Sequence, residues 1–316
     1  MRVVFLGTPD FAVPSLQALL TSSYKVRAVF CQPDKPSGRG QKPHAPPVKL
    51  LAQSAGIPVF QPEKIRAPEH QPIFQSLRPD FIVVVAYGQI LPGWLLQAAR
   101  IAPVNVHGSL LPAYRGAAPI TWAILNGETT TGITTMIMEE TLDTGPILLK
   151  REIQISKSIT QGELSAILAQ EGANLLIPTL NCLREGTLAR VMQNSSLATW
   201  APRIHKEMAL IAWDRKAIEI HNMVRAFNPW PVAFSSYAGI KVQIYRTALA
   251  DPSHETDLAP GTFLGYTKTG ILVQCGVGTR LEILELQPAS RKRMSGRDFA
   301  VGNRLSRNLP MFPPSN

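Results

Sequence analysis

The chain has 316 residues, 45% of them hydrophobic, and 32 Lys and Arg against 22 Asp and Glu leave a net charge of +10. That much apolar content excludes a mainly disordered chain, and the length suits two domains. The longest apolar runs, such as FIVVVA at 81–86, are too short to cross a bilayer, while the basic excess favours nucleic acid as a partner over an anionic membrane surface.

The opening RVVFLG is a short β-branched run ending at Gly7, with no secretory leader pattern around it. TPDFAVPSLQALLTSS then carries the i, i+3, i+4 apolar spacing of a helix. YKVRAVFC reads as a second strand, PVKLLAQSAG as a helix closed by Gly56, and IPVFQ as a short strand. PDFIVVVAYG is apolar throughout, as in a strand covered on both faces. APVNVHG and GITTMIM add two strands, with APITWAILNG as a helix between them. The alternation predicts an α/β fold with a doubly wound, largely parallel sheet of Rossmann-like type. Gly7 has no G-x-G-x-x-G around it and no P-loop lysine follows, so a dinucleotide or nucleoside triphosphate is not the obvious ligand.

TQGELSAILAQEGANLLIPTLNCLREG predicts a long amphipathic helix, with a Thr160/Glu163 capping box at its start and Gly186 at its end. The texture then turns polar and aperiodic, which marks 190–206 as a linker between a first domain at 1–189 and a second at 207–316. DRKAIEIHNMVRAFNP is helical until Pro229. Five short, evenly spaced strands follow (VAFSSYAG, KVQIYRTAL, GTFLGYTKTG, ILVQCGV, RLEILELQP) and predict a small OB-like β-barrel. Cys31, Cys182 and Cys275 are odd in number and far apart, unlike a disulfide framework or a zinc site, so a reducing cytoplasm is expected.

Chemistry concentrates in NVHGSLLPAYRGAAPITWAI, residues 105–124. On a strand, Asn105 and His107 point the same way, at the C-terminal end where open α/β sheets bind ligands. Asp143, in the MEETLDTGPIL stretch, is the candidate carboxylate partner; Glu139 and Glu140 are the alternatives. A carboxylate beside a histidine orients the ring and stabilises its protonated form. An amide donor, an imidazole and a carboxylate suit acyl transfer without a covalent enzyme intermediate. A Ser-His-Asp hydrolase is disfavoured because no G-x-S-x-G elbow occurs, and the six scattered histidines lack metal-ligand spacing.

These residues carry a family resemblance. NVHGSLLPAYRGAAPI followed by GITTMIMEETLDTGPIL resembles the signature of the folate-dependent formyltransferases. VVFLGTPDFAVPSLQALL, QPDKPSGRGQKPHAPPVK and RAFNPWPVAF extend the likeness over nearly the whole chain, and bring it closest to the branch that formylates initiator methionyl-tRNA. The resemblance implies 10-formyltetrahydrofolate as formyl donor, no metal, initiator tRNA as partner, and a monomer. It implies Asn105, His107 and Asp143 as the catalytic triplet. It implies Ser109, Leu110, Leu111 and Pro112 as the folate-contacting turn, with Tyr87 and Ile90 as a wall for the flat ring. The loop DKPSGRGQKPHAPPVK becomes a basic finger for the tRNA acceptor end, with Arg39 and Lys42 at its tip and Lys35 and Lys49 around it. The run SRKRMSGR, with Arg291, Lys292, Arg293 and Arg297, is a candidate phosphate patch by charge alone. Two positions depart from the family pattern: Ala113 and Lys35 stand where arginine is common.

Overall fold

The computed structural model describes residues 1–37, 42–250 and 258–312. They group into two compact units. The first comprises Met1–Pro119, Thr130–Gln154 and Ser165–Pro202; the second comprises Ile120–Thr129, Ile155–Leu164 and Arg203–Asn316.

The first unit is built on strands β1 (Arg2–Gly7), β2 (Lys25–Phe30), β3 (Lys35–Ser37), β4 (Lys42–His44), β5 (Val59–Phe60), β6 (Phe81–Val85), β7 (Ala102–His107), β8 (Arg115–Gly116), β9 (Thr130–Ile137), β10 (Ile147–Gln154) and β11 (Trp200–Ala201). The central sheet runs β10-β9-β7-β6-β1-β2-β5. The β7-β6-β1-β2-β5 pairings are all parallel, and β9 and β10 add an antiparallel edge. The chain runs outward from β1 through β2 to β5 and then crosses to β6 on the other side of β1, as a doubly wound sheet requires. Every residue of β6 is buried, which is why its composition is apolar without alternation.

Helix α1 (Val13–Leu20) packs against β2 and α2 (Pro47–Ser54) against β5, while α3 (Gln71–Leu77) contacts α4 (Gly93–Leu96). One core beneath them stacks Phe30 between Phe60 and Phe74, with ring centroids at 4.9 and 4.6 Å. The long helix at Gln161–Glu185 follows a short helix at Pro119–Leu125, so they are α6 and α5. The capping box forms: the Thr160 N–H donates to Glu163 Oε2 at 2.8 Å, and the Glu163 N–H returns to Thr160 Oγ1 at 3.4 Å. On α6, Gly172 lies so close to the sheet that a Cβ there would sit 2.8 Å from Val106 Cγ1. The lack of a side chain thus lets the helix approach the strand that carries Asn105 and His107.

In the second unit α7 (Ala217–Ala226) packs on an antiparallel sheet of β12 (Phe234–Tyr237), β13 (Ile240–Leu249), β14 (Phe263–Tyr266), β15 (Ile271–Gln274), β16 (Arg280–Pro288) and β17 (Met294–Ser295), closed off by α8 (Gly296–Gly302). The order β12-β13-β16-β15-β14 leaves β12 and β14 as edges, so the OB-like barrel is a curled, half-closed sheet. Its core stacks Trp213 on Phe312 at 4.7 Å, and the indole N–H donates to Ser235 Oγ. Among the described residues no helix is long and apolar enough to cross a membrane.

The 190–206 stretch, read from the sequence as a linker, carries tertiary structure. Val191 exchanges backbone hydrogen bonds with Ile147 at 2.8 and 2.9 Å, and β11 pairs in parallel with β8. Composition hid this because such short pairings leave no periodic pattern.

Candidate active site

Strand β7 delivers Asn105 and His107 to the C-terminal end of the sheet, on one face and two residues apart. Asn105 is 9% exposed, and among the described residues its carboxamide has no hydrogen-bond partner. The carboxamide is not sealed from solvent, so it is an available donor. His107 is held at both nitrogens. Its Nε2 lies 3.0 Å from the Tyr114 carbonyl, which can only accept, so the ring hydrogen sits on Nε2 in the neutral form. Its Nδ1 lies 3.7 Å from Asp143 Oδ2, an ion-pair separation when the ring is protonated and too long for a hydrogen bond. The tautomer is thus set by a backbone carbonyl.

Asp143 sits in a left-handed backbone conformation, φ 54°, in the turn before β10. The Gly116 N–H donates to Asp143 Oδ2 at 2.9 Å. Gly116 has φ 125°, and a Cβ there would lie 2.6 Å from the Ala201 carbonyl oxygen, so only glycine brings this N–H to the carboxylate. Gly145 is equally confined, since a Cβ would collide with the Ile137 carbonyl. From the other side the Gln193 side-chain NH2 donates to the Asp143 and Gly145 carbonyls, both at 2.8 Å.

The turn after His107 is pinned from within. Ser109 is fully buried, and its hydroxyl donates to the Ala113 carbonyl at 2.6 Å. Thr134 Oγ1 accepts from the Leu111 N–H at 3.1 Å and donates to the Ser109 carbonyl at 2.7 Å. The Lys150 ammonium donates to the Leu111 carbonyl, and burial pulls its pKa down. Leu111 packs with Met136 and Ile147, while Leu110 and Pro112 stay half-buried. Thr134 is a supporting residue that the sequence reading missed, because a threonine inside a strand carries no local signal.

Tyr87 and Ile90 differ sharply. Tyr87 is 2% exposed in the phenylalanine core, its hydroxyl buried without a partner among the described residues and its pKa raised by burial. Ile90 is 80% exposed.

Among the basic residues, Lys35 is exposed on β3, and its strand pairs with β4 so that Lys35 faces His44 and Ser37 faces Lys42. Arg39 lies outside the described residues. Lys49 is neutralised by Asp34, Nζ to Oδ2 at 2.8 Å; a hydrogen bond from Gln61 and then the Lys49 ammonium hold that carboxyl below its ordinary range. In the second unit Arg291 and Lys292 are exposed. The Arg293 guanidinium lies over the Tyr245 ring at 3.6 Å and 3.8 Å from Glu285 Oε2. Among the described residues no group of three His, Cys, Asp or Glu could hold a metal ion.

Comparison with known proteins matches residues 1–180 to the formyl transferase family and residues 203–304 to the formyl transferase C-terminal domain. The methionyl-tRNA formyltransferase of Acetivibrio thermocellus is 48% identical over 305 residues, covering 96% of this chain and 97% of the relative. That of Ruminiclostridium cellulolyticum is 47% identical over 305 residues, with the same coverage of 96% and 97%. Among solved structures, the N-formyltransferase from Helicobacter canadensis, in complex with folinic acid and dTDP-3-aminofucose, shares the fold at a TM-score of 0.66 and 19% identity, covering 90% of this chain and 99% of that one. With both formyl transferase domains present and near-identical length shared with these relatives, the chain belongs to the methionyl-tRNA formyltransferase family.

Proposed function

We propose that the protein transfers a formyl group from 10-formyltetrahydrofolate to the α-amine of methionine on initiator methionyl-tRNA, in the cytoplasm and as a monomer. The observation that carries the chemistry is the unpartnered Asn105 carboxamide beside a His107–Asp143 pair. The full-length likeness to relatives of that name carries the choice of substrate. Three free cysteines suit a reducing compartment.

Attack by a neutral amine on the formyl carbon drives negative charge onto the formyl oxygen. The Asn105 carboxamide is a ready donor to that oxygen, and as a group already fixed on a strand it needs no reorganisation. His107 Nδ1 is the basic nitrogen, because Nε2 is committed to the Tyr114 carbonyl. It takes the proton from the attacking amine and returns it to the departing folate nitrogen. Asp143, 3.7 Å away, stabilises the imidazolium between these two steps. A free carboxamide open to the site next to a pinned apolar turn fits a carbonyl carried on a flat, largely apolar ring, and Ile90 is exposed to contact such a ring.

For the acceptor, the exposed Lys35, the basic residues Arg39 and Lys42 that follow it in the sequence, and the exposed Arg291 and Lys292 supply positive charge for tRNA phosphates. The test is to incubate the protein with 10-formyltetrahydrofolate and either methionyl-initiator tRNA or nucleotide-linked amino sugars. Formyl-methionyl-tRNA is the expected product, and formylation of the sugars alone would overturn the substrate. His107→Ala is expected to lose turnover and keep tRNA affinity, whereas Arg39→Ala raises the tRNA requirement and leaves the folate KM unchanged.

A further inference from the structure

We propose that Gln193 and Arg115 are positioning residues that set the Asp143 carboxylate against His107, a role that rests on the reading of Asp143 as the partner of His107. Asp143 is a non-glycine residue with φ 54°, a conformation that persists only where the surroundings over-determine it. Both hydrogens of the Gln193 carboxamide are spent on this loop, one on the Asp143 carbonyl and one on the Gly145 carbonyl. A carboxamide has a donor end and an acceptor end and could face either way. Arg115 removes the choice. Its guanidinium offers only donors, and Nε at 3.1 Å and Nη2 at 2.8 Å bracket Gln193 Oε1, which leaves the NH2 facing the loop.

Arg115 is 3% exposed, and among the described residues no carboxylate lies within ion-pair distance of it. Its charge is therefore directed at a neutral amide. The short β8–β11 pairing fixes it in turn, with Arg115 opposite Trp200 and the Arg115 N–H on the Thr199 carbonyl at 2.9 Å. Three consecutive residues then hold both members of the pair. The Tyr114 carbonyl accepts from His107, Arg115 acts on the Asp143 backbone through Gln193, and the Gly116 N–H meets the Asp143 carboxylate. The 3.7 Å gap between His107 and Asp143 follows from this common rail, and a displacement of about an ångström at such a site costs on the order of 100-fold in rate.

A double-mutant cycle on formylation of methionyl-initiator tRNA tests this. Gln193→Met keeps the volume and removes both donors; Gln193→Glu keeps the shape and turns an oxygen toward two carbonyls. Either is expected to lower kcat about 10–100-fold with both KM values within about twofold. In an Asp143→Ala background the same changes are expected to lower kcat by less than about twofold, since no carboxylate is left to aim. Arg115→Met should follow Gln193→Met. Additive losses in the Asp143→Ala background would overturn the proposal and make Gln193 a general structural residue. A raised KM for one substrate with kcat kept in Arg115→Met would overturn it differently, by making Arg115 an anion-binding group. Full turnover in Asp143→Ala alone would instead defeat the catalytic reading itself, so the two failures are distinct.

Discussion

Thr134→Val is the sharpest probe of the turn that follows His107. Valine matches the shape of threonine but can neither accept from the Leu111 N–H nor donate to the Ser109 carbonyl, bonds now made at 3.1 and 2.7 Å. Thr134, Ser109 and Leu111 are all fully buried, so water does not replace those bonds. Each orphaned backbone group costs about 1–3 kcal/mol, and the pair is expected to cost about 2–4 kcal/mol after partial relaxation. For a unit of this size that lowers the midpoint of thermal unfolding by about 5–12 °C. Because the Ser109–Pro112 turn is the proposed folate contact, the donor KM should rise about tenfold, of order 1.4 kcal/mol of binding. Calorimetry and initial rates at saturating tRNA read the two effects, with Thr134→Ser as a control that keeps both bonds. A midpoint moved by less than about 2 °C with an unchanged donor KM would refute the view that this hydroxyl holds the turn.

Gly116→Ala should cut kcat by about tenfold or more, since the new Cβ meets the Ala201 carbonyl and shifts the N–H from Asp143 Oδ2; unchanged turnover would show that this N–H does not matter. Glu163 is drawn down to about 2, first by the Thr160 N–H, then by Arg246 and the Thr160 hydroxyl. Its folded pKa lies below its ordinary value of 4.5, so its stabilising effect is complete above 4.5 and fades as pH falls toward 2. Glu163→Gln should flatten the stability curve across that window, and an unaltered slope would contradict the assignment. Asp80 accepts from the Arg2 N–H at 2.7 Å and from Arg100 Nε at 2.8 Å. Burial pushes its pKa up, and these two donors outweigh burial and hold it low. Asp80→Ala should cost about 1–3 kcal/mol in denaturant titration, toward the low end because Arg100 is exposed; a change near zero would mean the N-terminal strand is held by packing alone.

Much of this protein was legible in the order of its residues. Strand and helix alternate because β-branched runs and i, i+3, i+4 spacing are local signals, and the α6 capping box forms between residues three apart. The pairing of Asn105 with His107 on one face follows from the period of a strand, which needs no tertiary information. Nothing local says that Tyr87 enters the core while Ile90, three residues on, stands in solvent, because loops have no period. Nor could it be read that Tyr114 sets the His107 tautomer, that Arg115 is buried, or that Gln193 reaches a loop 50 residues earlier. The polar texture that made 190–206 look like a linker is the same chemistry that makes hydrogen bonds across a fold. Periodicity registers which face of an element is buried, but a single amide or hydroxyl acquires its partner only when the chain has closed, and those partners hold the residues proposed as catalytic.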